Sequence, residues 1–150
     1  MQEAIELSRK NIAEGKGGPF AAIIVKGGAI IARGTNIVTS TNDPTAHAEV
    51  VAIREACRTL NTFQLEGCDL YTTCEPCPMC LGAIYWARPD TVYFGSTRSD
   101  AAHIGFDDRF IYEELERAFS ERKIPMAQKM RDEALIVFRE WETKQDKIRY

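Results

Sequence analysis

The chain has 150 residues, of which 45% are hydrophobic and 27% are charged, and its formal charge is −3 at pH 7. A chain of this length typically buries roughly 70% of its unfolded surface, which is enough for one domain with a single core. The acidic balance argues against a nucleic-acid surface, and no window holds the ~20 apolar residues that a membrane span needs. We therefore expect a cytoplasmic protein that acts away from membranes.

The N-terminal part of the chain predicts one helix and then a hairpin. An amphipathic helix is expected over Gln2–Ala13, because glycines follow it directly. Residues 20–25 and 29–32 form two apolar runs joined through Gly27 and Gly28, a pattern typical of two strands with a tight turn. Since neither run alternates with polar residues, both faces of this sheet are expected to be covered.

The middle of the chain alternates between helical and strand patterns. Residues 39–44 are turn formers and predict a loop, after which a helix of about fifteen residues begins near Thr45 or Ala46. Its apolar residues recur at helical spacing: Val50, Ile53, Cys57 and Leu60. A strand at 70–73, a helix at 77–87 and a strand at 91–94 follow.

The helix at 77–87 is apolar almost all round, so we expect it to be central and buried. Two further helical patterns cover residues 110–119 and 132–143. Strands interleaved with helices predict an α/β sandwich with helices on both faces of a mixed sheet.

Two predicted helix starts carry metal-binding residue types. His-Ala-Glu occupies residues 47–49, and Pro-Cys-Pro-Met-Cys occupies residues 76–80. Cys77 and Cys80 are three residues apart and share a helix face, and with His47 they supply three zinc ligands and leave the fourth tetrahedral position to water. An open position favours catalysis over a structural role. Glu49 is then placed to hydrogen-bond the water without binding the metal.

The cysteine pattern leaves other interpretations open. Five cysteines are an odd number, and three of them fall within seven residues, which argues against a secreted disulfide framework. The spacing of Cys74, Cys77 and Cys80 also resembles part of an iron–sulfur run or a thiol redox motif, but neither explains His47 or Glu49. A purely structural zinc site is the non-enzymatic alternative, with Cys74 as its nearest fourth ligand.

The remaining cysteines and the second histidine are expected to have no role in chemistry. Small buried residues are the ordinary interpretation of Cys57, Cys68 and Cys74, because free cysteine is among the most buried residue types. His103 is expected at the surface.

The two motifs and the segments around them resemble the cytidine-deaminase-like superfamily of zinc deaminases, and within it the guanine deaminase branch. The resemblance covers about residues 17–110. The segments that carry it are GGPF at 17–20, NDPTAHAEVVAIREAC at 42–57, YTTCEPCPMCLGAIYWARP at 71–89 and GFDDRFIY at 105–112. It implies a three-layer α/β/α sandwich with a central mixed five-stranded sheet. It also implies one catalytic zinc per subunit on His47, Cys77 and Cys80.

The resemblance further implies zinc-dependent hydrolysis of guanine to xanthine and ammonia, a step of purine metabolism. Glu49 and Asp108 would be its catalytic residues, with Glu49 as the proton shuttle. The implied substrate-binding residues are Phe20, Asn36, Ala48, Asp108 and Tyr150. Asn36 would bond the base edge, Asp108 would lie over the far side of the purine, and Tyr150 would cross the mouth of the site. Guanosine deamination, tRNA adenosine deamination and an inactive zinc module that binds a partner are the alternatives.

The assembly is also implied by the resemblance alone. Residues 1–150 would form a single catalytic domain, and the C-terminal segment, about residues 125–150, would be swapped onto the partner in a homodimer. Sealing the active site in this way excludes bulk water and strengthens the electrostatics around the metal. The expected partners are therefore a small purine and a second copy of the chain, and not a nucleic acid or a membrane.

Overall fold

The computed structural model describes residues 1–149, so the expectation for Tyr150 lies outside the described residues. The chain divides into two compact units, Met1–Asp108 and Arg109–Tyr150. The first unit has nine elements in chain order: α1 Gln2–Ala13, β1 Ala21–Lys26, β2 Ala29–Thr35, α2 Val38–Thr41, α3 Ala48–Leu60, β3 Cys68–Cys74, α4 Pro78–Ala87, β4 Thr91–Ser96 and α5 Arg98–His103. The second unit contains α6 Arg109–Glu116, a 3-10 turn Phe119–Glu121 and α7 Arg131–Thr143.

Most predicted elements are confirmed, and two short helices were not predicted. The predicted loop at 39–44 is wrong at its start, because Val38–Thr41 forms a single helical turn that ends at Asn42 in the left-handed conformation. The second helix, α5, is capped by Thr97, which forms a reciprocal capping box with Asp100. Helices this short carry too little periodicity to be detected in a sequence.

The sheet has the strand order β2-β1-β3-β4 and is mixed. Strand β1 is antiparallel to β2 and to β3, and β3 is parallel to β4. The predicted mixed α/β sheet is confirmed, but the five-stranded sheet is wrong, since the described residues form four strands. Residues 134–138 lie in the helix α7, as the helical spacing at 132–143 predicted.

The core covers both faces of β1, as the continuous apolar run predicted. Ala22 and Ile24 lie in the main apolar cluster with residues of α3 and α4. Ala21 and Ile23 point to the opposite face and are also buried, and helix α1 packs on this strand and on β3.

Helix α3 approaches the sheet closely because small residues line the contact. A Cβ atom at Gly34 of β2 would lie 2.2 Å from the Ala48 carbonyl oxygen and 2.5 Å from the Ala52 amide nitrogen. Both alanines are fully buried. The first turn of α3 is therefore held at a fixed distance from the end of β2.

Helix α4 is only partly buried, so the prediction of a central, buried helix is wrong. Its buried side chains are Cys80, Ile84 and Ala87, which lie on one face. Tyr85 is 75% exposed and Trp86 is 64% exposed. The first unit covers one face of this apolar helix with α3, and the rest of its surface faces outward.

The second unit buries none of its described side chains, residues 109–149. It exposes large apolar residues on α6 and α7, including Phe110, Phe138 and Trp141. Across residues 1–149, no helix is both long enough and apolar enough to cross a bilayer.

Candidate metal and substrate site

The candidate site lies at one end of the sheet, where the elements that carry it begin or end. Strands β2, β3 and β4 end there, and the antiparallel strand β1 begins there. Helices α3 and α4 start at this end. Helix N-termini present unpaired N–H groups and the positive end of the helix dipole, which favour anionic ligands such as thiolates.

His47 is the N-cap residue of α3, with φ −70° and ψ 154°. The loop before it is fixed by Asp43, whose Oδ1 accepts hydrogen bonds from the Thr45 amide at 2.8 Å and from its hydroxyl at 2.7 Å. This turn directs the chain into the helix, and so it sets the position of the His47 imidazole.

Cys77 is the N-cap residue of α4, and Cys80 lies three positions further on. Pro78 occupies the first helical position, where its missing N–H group costs no hydrogen bond. Side chains at the N-cap and at the third helical position are neighbours, as they are in a capping box. The Pro-Cys-Pro-Met-Cys sequence therefore places both sulfurs on the same side of the helix start.

The three predicted metal ligands meet between the two helix starts. The Nδ1 atom of His47 lies 3.5 Å from the Sγ atoms of both Cys77 and Cys80, and the three ligand atoms lie within 4.8 Å of one another. Tetrahedral zinc, with bonds of about 2.3 Å to sulfur and about 2.0 Å to nitrogen, separates such ligand atoms by about 3.5 Å. The donor set and its spacing therefore fit zinc.

The electrostatics of the cluster favour thiolate at Cys77. The hydrogen bond from the Cys80 thiol, helped by His47, lowers the pKa of Cys77 to about 4. The same bond, together with burial, raises the pKa of Cys80. The hydrogen bond to Cys77 raises the pKa of His47. Zinc binds deprotonated cysteines, and its two positive charges balance the two negative charges of the thiolates.

Glu49 lies in the first turn of α3 and is 6% exposed. Its Oε1 accepts a hydrogen bond of 2.8 Å from the Thr72 hydroxyl, and its Oε2 lies 3.3 Å from the Cys80 sulfur. Burial raises the pKa of this carboxyl, and the hydrogen bond from Thr72 opposes the rise. A buried carboxyl with a raised pKa is suited to accept and return a proton.

Phe20 and Asn36 face each other where β1 and β2 meet this end of the sheet. The Asn36 amide donates to the Phe20 carbonyl at 3.0 Å, which continues the strand pairing. The Asn36 side chain is buried, and its Oδ1 accepts from the amides of Gly18 and Val38, both at 3.4 Å. The Phe20 ring contacts Phe106 edge to face, with 4.9 Å between centroids.

Asp108 and Ala48 were also predicted as site residues. Burial, followed by the charge of Cys77, raises the pKa of Asp108, so this carboxyl lies within electrostatic range of the cluster. Ala48 is fully buried at the first position of α3, between the candidate ligand His47 and Glu49.

Three residues at this end of the sheet were not predicted from the sequence. The Asn11 Nδ2 donates to the carbonyls of Asn36 at 2.8 Å and of Gly18 at 3.0 Å, so helix α1 supports the loop beside Phe20. Gly17 allows close approach, because a Cβ there would lie 2.2 Å from the Asn36 carbonyl oxygen. The third residue is Phe106. The only sequence signal for Asn11 is a polar residue on the buried face of an amphipathic helix.

The interpretations of the cysteines as an iron–sulfur run or as a structural zinc site both need Cys74 as a metal ligand. Among residues 1–149, the group of side chains able to hold a metal ion contains His47, Cys77 and Cys80 and excludes Cys74. Cys74 is buried, and burial raises its pKa to about 11. The predicted core position of Cys68 is confirmed, and Cys57 packs against the same cluster.

Comparisons with known proteins agree with this geometry. The family model of the cytidine and deoxycytidylate deaminase zinc-binding region matches residues 1–96. Guanine deaminase of Bacillus subtilis (strain 168) is 53% identical over 150 residues, which cover 100% of this chain and 96% of that protein. An X-ray structure of guanine deaminase from Bacillus subtilis superposes with a TM-score of 0.97 at 54% identity, covering 99% of this chain and 95% of that chain.

A second group of relatives is similar over a shorter stretch. A tRNA-specific adenosine deaminase of Aquifex aeolicus (strain VF5) is 55% identical over 78 residues, which are 52% of this chain and 52% of that protein. The similarity to guanine deaminase therefore spans the whole chain, and the similarity to this tRNA deaminase spans about half of it.

Proposed function

The chain belongs to the cytidine and deoxycytidylate deaminase family, and from that premise we propose that it is a zinc-dependent hydrolase that converts guanine to xanthine and ammonia. The observation that carries the proposal is the position of Glu49. One oxygen of this buried carboxyl lies 3.3 Å from Cys80, in a cluster whose spacing fits zinc. A proton shuttle beside an open metal position is the arrangement that hydrolytic deamination needs.

His47, Cys77 and Cys80 are the proposed zinc ligands, with one zinc per subunit. Bound zinc supplies the nucleophile, because it lowers the pKa of water from about 15.7 to about 7. Held by these three side chains, zinc would keep one position open for that water. The two helix N-termini that carry the ligands stabilise the negative charge of the thiolates.

Glu49 is the proposed general base and acid. Its carboxylate accepts the proton of the attacking water and passes it to the ring nitrogen beside the amino-bearing carbon, which is C2 of guanine. Attack of the oxygen at C2 gives a tetrahedral carbon. Glu49 then takes the second proton of the water from the hydroxyl on C2 and delivers it to the amino group, the C2–N bond breaks, and ammonia leaves as the carbonyl of xanthine forms.

The proposed substrate contacts come from Phe20, Asn36, Ala48 and Asp108. The Oδ1 atom of Asn36 is bonded to backbone amides, which leaves its NH₂ group to donate to an acceptor on the base edge. Phe20 offers an aromatic wall that is fixed by its contact with another ring. Asp108 supplies a carboxyl within electrostatic range of the cluster, where it can accept from the N–H groups of a purine. Tyr150 is proposed to cover the mouth of the site.

A substrate panel tests the proposed reaction. Ammonia release is measured for guanine, guanosine, adenine, cytosine, cytidine and an adenosine-containing tRNA stem-loop, with zinc quantified in the same preparation. We expect about one zinc per chain and turnover of guanine at least about 10²-fold faster than of the other bases, because buried polar groups left unpaired by a wrong base oppose its binding. Iron with acid-labile sulfide, or activity without metal, would overturn the zinc assignment.

The alternatives correspond to other outcomes of this panel. Guanosine as the preferred substrate would make the chain a guanosine deaminase, and faster turnover of the tRNA stem-loop would make it a tRNA adenosine deaminase. Stoichiometric zinc with no turnover of any substrate would indicate an inactive binding module.

We also propose a homodimer in which residues 1–150 form one catalytic domain and about residues 125–150 are swapped onto the partner. Two exposed apolar surfaces support it. Leu81, Tyr85 and Trp86 on α4 are 41%, 75% and 64% exposed, and residues 109–149 bury no side chain. Large exposed apolar patches mark protein contacts. Sedimentation of the purified protein tests the dimer.

A cytoplasmic location and a role in purine metabolism complete the proposal. All five cysteines are free, as expected in a reducing compartment. The negative formal charge also disfavours nucleic acid as the partner.

A further inference from the structure

The carboxyl of Glu49 is held by a residue outside the two motifs at 47–49 and 76–80. Thr72 is fully buried, and its hydroxyl donates to Oε1 of Glu49 at 2.8 Å. The second carboxylate oxygen, Oε2, lies 3.3 Å from the Cys80 sulfur. One oxygen of Glu49 is therefore bound to the sheet, and the other faces the ligand cluster.

We infer that Thr72 is a positioning residue for Glu49, and that its hydroxyl fixes Oε1 so that Oε2 faces the reacting water. This inference rests on the proposed function of Glu49. A cysteine that binds zinc is a thiolate and has no proton to donate. Once Cys80 is a ligand, its hydrogen bond to Oε2 is lost, and the bond from Thr72 is the side-chain contact that keeps the carboxylate in one orientation.

The position of Thr72 in the sheet makes it a rigid anchor. It lies in the inner strand β3, paired with Ala22 of β1 and Phe94 of β4. A β-branched side chain on a strand has few rotamers, whereas a glutamate side chain has three rotatable torsions. The rigid Thr72 side chain therefore fixes the more flexible Glu49 carboxylate.

Thr72 places a hydroxyl on an otherwise apolar buried face of β3. The buried face of β3 otherwise carries apolar or weakly polar side chains: Cys68, Leu70 and Cys74. Burying a hydroxyl in such a face is unfavourable unless the group is hydrogen-bonded. In this structure, the Thr72 hydroxyl donates its hydrogen bond to Glu49, the proposed general base.

Substitutions at residue 72 separate positioning from packing. Thr72→Val keeps the shape and removes the hydroxyl, and Thr72→Ser keeps the hydroxyl and removes a methyl group from a fully buried position. We expect Thr72→Val to lower kcat for guanine about 10- to 100-fold, as expected for loss of a hydrogen bond to a charged group. KM should change less than about two-fold, because the bond acts on the base and not on substrate binding.

The serine variant provides the rescue. We expect Thr72→Ser to keep kcat within about three-fold of the unchanged protein while melting at a lower temperature, because it loses a buried methyl group. If the role of residue 72 were packing alone, the serine variant would be the slower enzyme and activity would follow stability. That result, or an unchanged kcat in Thr72→Val, would overturn the inference.

Thr73→Val is the matched control. Thr73 is the next residue of the same strand, and its side chain points to the opposite face, where its hydroxyl accepts from the Ala21 amide at 3.1 Å. Thr73→Val removes the same hydroxyl from the same residue type, and we expect its kcat to stay within about two-fold of that of the unchanged protein.

A structural measurement separates the inference from the proposed reaction. Crystal structures of the zinc-loaded protein and of Thr72→Val are compared at Glu49. In the unchanged protein, the hydrogen bond from Thr72 to Glu49 should persist with zinc bound. In Thr72→Val, the Glu49 carboxylate should turn or become disordered while zinc stays in place. An identical carboxylate in both would overturn the inference whatever the substrate. Failure of the unchanged protein to release ammonia from any purine would instead overturn the proposed function.

Discussion

A single methyl group at Gly34 is predicted to damage both the fold and the site. Its Cβ would lie 2.2 Å from the Ala48 carbonyl oxygen and 2.5 Å from the Ala52 amide nitrogen. Carbon and oxygen atoms in close contact are separated by about 3.3 Å or more, so strand β2 and helix α3 must move apart by about 1 Å. Because both contacts are with backbone atoms, no side chain can rotate to relieve them.

The expected magnitudes follow from this displacement. Overpacking costs about 1–3 kcal/mol, and the rigid backbone places Gly34→Ala near the upper end, at about 3 kcal/mol. For a chain of this size, that change lowers Tm by about 6–12 °C. Glu49 is in the turn that must move, and a misplacement of about 1 Å lowers kcat for guanine by about 10²-fold.

Arg33→Ala is the control for Gly34→Ala. Arg33 is the neighbouring residue of β2, its side chain is 51% exposed, and it forms a surface ion pair with Glu3, so its loss should cost less than about 1 kcal/mol. Thermal unfolding followed by circular dichroism gives Tm for both variants, and ammonia release gives kcat. A Gly34→Ala protein with an unchanged kcat and a Tm within about 2 °C of the unchanged protein would refute the close backbone packing.

Three further changes test the site and the assembly. Glu49→Gln should retain zinc by elemental analysis and lose about 10²–10⁴-fold in kcat, because the proton shuttle is removed, and full activity would exclude that role. Asp108→Ala should lower kcat/KM for guanine with zinc retained, and unchanged turnover would make Asp108 an ordinary surface acid. Deleting residues 146–150 should leave zinc bound, raise KM and lower kcat, because water enters the site. Unchanged kinetics of the truncated protein, or a fully active monomer in sedimentation, contradicts the closing tail.

Local patterns determined most of the elements and the candidate metal ligands. The helix Gln2–Ala13 agrees with its predicted bounds, since periodicity and the glycines after it are properties of adjacent residues. His47, Cys77 and Cys80 were identifiable because zinc requires particular residue types, and both cysteines belong to one short motif. The start of α3 was predicted two or three residues too early, because His47 caps the helix instead of lying within it.

The tertiary structure alone decided which distant residues meet. Thr72 and Glu49 are 23 positions apart, and Asn11 and Asn36 are 25 apart. Periodicity shows that each side chain lies on a buried face, but strand order and helix placement determine its partner. For the same reason, the sequence did not determine the number of strands in the sheet or how much of α4 is exposed. A sequence pattern records which surfaces are apolar, and only the assembled fold shows which of them another element covers.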